Sequence, residues 1–238
     1  MDTTVIEVQV RLLFKRILSV LARFCILSNF IADIIYLCNG DNWLMERNVV
    51  SLTWRCGREI ATIYVCTLLG LEMAGCFLMI GDRNRRSAAC ILSLVAHLKV
   101  VANPAFWTLD IYIDTCALAS ALLLLLALRK PRGQTRMTFL FMAYLTYHHL
   151  DSWYWRTLNR YLIRFLIAFI LIGYRMRLAV SLLIALTALH AFHSSAWWNV
   201  PFEQHSERSF KRFYFWNKMS LLGGLFMTAI YSNYRCML

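Results

Sequence analysis

Apolar stretches of about 20 residues, the length of helix that crosses the hydrocarbon core of a bilayer, recur along the whole chain with only short polar breaks between them. Eight such stretches run over approximately 17–37, 59–80, 88–103, 107–128, 138–155, 158–173, 178–198 and 214–231. Inside lipid every backbone polar group must be satisfied within its own segment, so stretches of this length are read as helices. The pattern predicts an all-α fold: a polytopic transmembrane helical bundle of about eight membrane-spanning helices. The stretches at 88–103 and 158–173 are short, so seven is the alternative count. Asn103-Pro104 directly follows the third stretch and predicts a kink or a tight hairpin there. With no linker, low-complexity run or convincing internal repeat, residues 1–238 read as a single integral membrane domain.

Composition agrees. A chain that is 60% hydrophobic, with a mean hydropathy of +0.54, carries more apolar surface than a soluble domain of its length can bury. Arg11, Lys15 and Arg16 precede the first stretch and no small-residue cleavage site follows it, so the first helix is expected to stay in the protein. The net charge of +12 comes from basic clusters between apolar runs, a topology signal rather than a nucleic-acid surface. With both termini on one side, that side collects 13 Lys/Arg and the other 7, which places the termini in the cytosol. The basic loops also suit the anionic head groups of the lipid bilayer, at roughly 1 kcal/mol per residue. Segment 201–213 puts three basic residues on the opposite side and reads as an interfacial amphipathic helix, with Phe202, Phe210 and Phe213 at the head groups. Trp43, Trp54, Trp107, Tyr112, Trp153, Tyr154, Trp155, Trp197, Trp198, Tyr214 and Trp216 gather near helix ends, as an aromatic belt does.

Ten charged residues fall within or at the ends of spans: Arg23, Lys99, Arg160, Arg164, Lys218, Asp33, Glu59, Glu72, Asp110 and Asp114. A charge at mid-bilayer costs about 2.5–3.5 kcal/mol even on a lenient scale, so each is expected to face the bundle interior, a partner or water. Two readings stand side by side: a polar cleft that binds something or passes an ion, and charge pairing that fixes helix packing. Asp110 and Asp114 share a helix face, as do Arg160 and Arg164. Which acid meets which base is left open.

The eight cysteines form no C-x-x-C pair and read as small packing residues, with a Cys38–Cys56 disulfide across the first loop as the alternative. His190, His193, His148 and His149 read as boundary histidines, and neither a metal site nor a cofactor is expected. No P-loop, G-x-G-x-x-G, G-x-S-x-G or kinase signature occurs, so nothing suggests an enzyme. Gly223-Gly224 and the run from Gly70 to Gly75 are expected at close helix contacts.

Several pieces, in order, carry a family resemblance. They are Ala22-Arg23-Phe24-Cys25-Ile26-Leu27-Ser28, Thr53-Trp54-Arg55-Cys56-Gly57, Ala74-Gly75-Cys76 and the run from Leu122 to Leu126. Later come Leu150-Asp151, Gly173-Tyr174-Arg175-Met176-Arg177-Leu178-Ala179, Ala196-Trp197-Trp198-Asn199-Val200-Pro201 and Met219-Ser220-Leu221-Leu222-Gly223-Gly224. Together they resemble the Surfeit locus protein 4 family of endoplasmic-reticulum cargo receptors, from about Leu21 to Tyr231. The resemblance implies a multi-pass protein of the endoplasmic reticulum membrane, cycling through the ER–Golgi intermediate compartment to the Golgi. It also implies the partners: luminal secretory cargo proteins, bound through their N-terminal residues, and vesicle coat components on the cytosolic side. Homo-oligomerisation is left open.

Carried over residue by residue, the resemblance puts forward Asp33, Glu72, Trp107, Asp114 and Asp151 as cargo-binding. It also exposes departures. Where family members have two adjacent acids this chain reads Ala32-Asp33, Tyr214 replaces an acid, and Asp114 replaces a basic residue. The ending Tyr234-Arg235-Cys236-Met237-Leu238 lacks the lysines that recruit a retrieval coat in the family, so the means of retrieval from the Golgi is left open. The alternatives to a receptor are a small-molecule or lipid transporter, with buried charges along a substrate path, and a structural membrane protein.

Overall fold

The computed structural model describes residues 3–81, 84–126, 131–147, 153–201 and 204–235. Among them are nine α-helices and no strand: α1 (Thr3–Leu37), α2 (Gly40–Trp54), α3 (Arg58–Ile80), α4 (Arg85–Ala102), α5 (Leu109–Leu126), α6 (Pro131–Tyr147), α7 (Trp153–Ile172), α8 (Met176–Ser194) and α9 (His205–Arg235). Seven of the eight predicted apolar stretches fall mainly on one helix each, whereas 138–155 runs beyond the end of α6 at Tyr147, across residues outside those described, to the start of α7 at Trp153. By length and composition, four helical stretches among the described residues suffice to cross a membrane: Leu12–Leu37, Arg58–Ile80, Leu109–Leu126 and Met176–Asn199.

The surface is what a bilayer requires. Phe77 and Ile172 are each 77% exposed, and Ile60, Ile63, Leu189 and Phe192 also point outward from the interiors of α3 and α8. In water such a surface would drive association. In lipid it is the solvated face.

The centre of the bundle is where α1, α5, α6 and α9 meet around Ala22, Ile26, Phe30, Ala121, Leu122, Phe141, Leu221 and Leu225. Glycine permits the closest approach. A Cβ on Gly223 would stand 2.6 Å from the backbone nitrogen of Ile26 and 2.7 Å from the carbonyl oxygen of Ala22, so α9 lies backbone against backbone on α1. Ser220, one turn earlier, donates to the carbonyl of Ile26 at 2.9 Å. Gly224 faces the Phe141 ring and Gly75 faces the Leu92 side chain, as the sequence predicts, whereas Gly70 faces open space and makes no such contact.

Two local expectations are revised, and the disulfide alternative across the first loop is not realised. The segment between the first two spans folds as α2, with Asn39 as its N-cap accepting from the Asp41 amide and Arg55 ending it in the left-handed region at φ 48°. A second, small apolar cluster of Leu37, Val50, Ala61, Val65 and Ala102 seats α2 on α1, α3 and α4. The predicted interfacial helix is instead the first turns of α9, continuous with the last span, and Phe213 stacks on Phe106 at 4.8 Å. Cys38 and Cys56 are both free thiols. After Asn103 the chain makes a short 3₁₀ turn over Pro104–Phe106, the tight hairpin the Asn-Pro pair predicts, with the Asn103 side chain accepting from Ala105.

Candidate functional site

A charged cluster sits where three helices place intramembrane residues at one level. Asp33 is in the last turns of α1, Glu72 in the middle of α3 and Lys99 in the last turn of α4. Lys99 Nζ lies 2.6 Å from Asp33 Oδ2 and 2.5 Å from Glu72 Oε1. Glu72 is fully buried, and its second oxygen, Oε2, has no hydrogen-bond partner among the described residues. Lys99 is thus a bridge: one ammonium divided between two acids from different helices. Bare carboxylates at this depth would be prohibitive, and shared pairing brings their cost within reach.

Above the bridge opens a cavity of about 320 Å³, at the end of the bundle that carries α2 and the Pro104–Phe106 turn. Its charged wall is Asp33 and Lys99, with Glu46 from α2 and Arg212 from the start of α9. Arg212 is held with its guanidinium 3.6 Å from the centre of the Tyr36 ring, a cation–π contact at the α1–α9 seam. Tyr64 lines the cavity too, its hydroxyl donating to the Leu98 carbonyl at 2.9 Å. The remaining lining is apolar, from residues such as Leu37, Val49, Leu68, Phe106 and Trp216. Glu46 differs from the other acids in making no hydrogen bond or ion pair among the described residues. Burial pushes its carboxyl above the usual range; Lys99 pulls it back down and Asp33 adds to the rise.

Of the residues put forward from the sequence, Asp33 lines this cavity and Glu72 supports it from beneath through Lys99. Trp107 is exposed on the turn beside the cavity, its indole N–H donating to the Val101 carbonyl at 3.2 Å. Asp114 is buried in α5 and does not line the cavity, while Asp110 at the start of α5 is exposed. Asp151 lies outside the described residues, as do His148, His149, Phe202 and Cys236 and the side chain of Arg160. Lys218 is buried elsewhere, donating to Ser194 at 2.9 Å and Ser195 at 2.8 Å. Among the described residues no three His, Cys, Asp or Glu side chains converge as a metal site.

Sequence reasoning missed Glu46 and Arg212. A signal for Glu46 existed: with Asn39 taken as an N-cap, a helix from residue 40 places Glu46 on the same face as Trp43 and Val50, an acid on an apolar stripe.

Comparison with known proteins agrees with the order of motifs. The model of the SURF4 family matches residues 3–140 and 132–233. A Drosophila melanogaster protein, Surfeit locus protein 4 homolog, is 24% identical over 234 residues, covering 90% of this chain and 85% of the relative. No solved structure matches. Because the family match runs through nearly every helix, including the three that supply the Asp33–Lys99–Glu72 bridge, the chain belongs to the SURF4 family.

Proposed function

We propose that this protein is a cargo receptor of the endoplasmic reticulum membrane, which takes the N-terminal residues of soluble luminal proteins into the cavity and promotes their packaging for transport to the Golgi. The observation that carries the reading is the cavity itself. Its volume of about 320 Å³ is at the lower end of the range for small-ligand sites, room for a few extended residues and not for a folded domain. Its walls combine apolar surface with a charged floor, the lining that suits a peptide end. Family membership supports the cargo class, and the positive-inside count assigns the α2 end of the bundle to the lumen. Asp33 forms part of the floor, Glu72 holds Lys99 in place, and Trp107 belongs to the rim. Coat components engage the basic loops at the opposite, cytosolic end.

The test is the rate at which a luminal reporter leaves the endoplasmic reticulum in cells lacking their own family member, with and without this chain. Faster exit that depends on the reporter's first residues is the expected result. Unchanged exit across a panel of reporter leaders, with the protein folded in the early secretory pathway, would count against the receptor reading.

A further inference from the structure

Resting on the receptor reading, the charge pattern assigns the ligand contact within the cavity. We propose that Glu46 on α2 is the carboxylate that receives the free α-ammonium of the incoming peptide, and that Asp33 and Glu72 are positioning residues acting through Lys99. Asp33 Oδ2 and Glu72 Oε1 already share one ammonium at 2.6 and 2.5 Å, so each of these acids has a cation against it, and Glu72 is fully buried and does not line the cavity. Arg212 is committed to the face of Tyr36. Glu46 lines the same cavity without an ion-pair partner among the described residues.

Charge balance points the same way. By formal count three carboxylates, Asp33 and Glu46 on the cavity wall and Glu72 beneath it, stand against two cations, Lys99 and Arg212, so the cluster holds one more acid than base and has a place for a further ammonium. The upward push on the Glu46 carboxyl by burial is what an arriving cation would relieve. Val49 and Val50, about one helical turn from Glu46, line the cavity beside it. Charge and first side chain are therefore read close together, the arrangement of a chain terminus. A lysine carries its charge at the far end of a methylene stem, away from the backbone.

The test uses the full chain in nanodiscs and a pool of short, apolar peptide amides, offered with free amino termini or N-acetylated. The expected result is a preference of about tenfold for the free amines, lost in Glu46→Gln through weaker free-amine binding, unchanged binding of the acetylated pool, and retention in Glu46→Asp. Thermal unfolding of each variant accompanies the titrations. A preference that survives Glu46→Gln overturns the assignment of Glu46 and leaves the receptor reading standing. Loss of both pools in a normally folded Glu46→Gln protein also overturns it, since Glu46 would then shape the cavity rather than read charge. If neither pool binds the unmodified protein, the receptor reading fails with it.

Discussion

Lys99 holds two acids that would otherwise face each other across α1 and α3. Replacing it with methionine leaves Glu72 fully buried without a counter-ion, and breaking a buried pair in this way costs about 3 kcal/mol or more. Lys99→Met is therefore expected to lower the unfolding temperature in detergent sharply, and the double variant Lys99→Met/Glu72→Leu to recover much of the loss, measured as a double-mutant cycle. Glu46 gives a pH signature. It faces Asp33 and Tyr36 on α1, Tyr64 on α3, Lys99 on α4 and Arg212 on α9. Its folded pKa is raised above the ordinary value of 4.5, so the folded state binds its proton more tightly than the unfolded state does. Its contribution to stability is present below that ordinary value and is lost as pH rises through the raised one. Glu46→Gln should flatten the stability profile over that window, read by thermal unfolding against pH.

The α1–α9 seam separates glycines that look alike in sequence. Gly223→Ala forces a methyl against the backbone of Ile26 and Ala22, which cannot yield as a side chain can. The expected loss is about 1–3 kcal/mol, by the general cost of overpacking. Gly70→Ala meets open space and gains helix propensity, so it should be neutral or stabilising by up to about 1 kcal/mol. A melting comparison of the two variants in the same detergent checks both. Helix α2 shows the opposite relation between sequence and element. Its residues 40–54 are neither long nor apolar enough to be read as a span, so the Asn39 cap and the Trp43/Val50 face were the only local signals. What seats it is the cluster with Leu37, Ala61, Val65 and Ala102, all supplied by other helices.

For the whole molecule, orientation is the property with most consequence, because it decides which compartment the cavity opens to. The basic-residue count predicts that the α1–α2 turn, with exposed Cys38, faces the lumen. In a variant keeping Cys38 as its single cysteine, a membrane-impermeant maleimide should label it only after the reticulum membrane is permeabilised. Labelling in sealed vesicles with the cytosolic face outward would invert the orientation and place the cavity on the coat side.

Helical class, membrane residence and the position of each apolar stretch were legible along the chain, because lipid imposes a length and a polarity on every segment independently of its neighbours. The presence of buried charge at Asp33, Glu72 and Lys99 was legible for the same reason. Their pairing was not: Asp33 and Lys99 are 66 positions apart, and which ions meet depends on how α1, α3 and α4 pack and rotate. The cavity, and with it Glu46 and Arg212, arose only when α2 and the first turns of α9 folded over that bridge. A site assembled from five helices leaves in each of them a residue whose partners are set by packing alone.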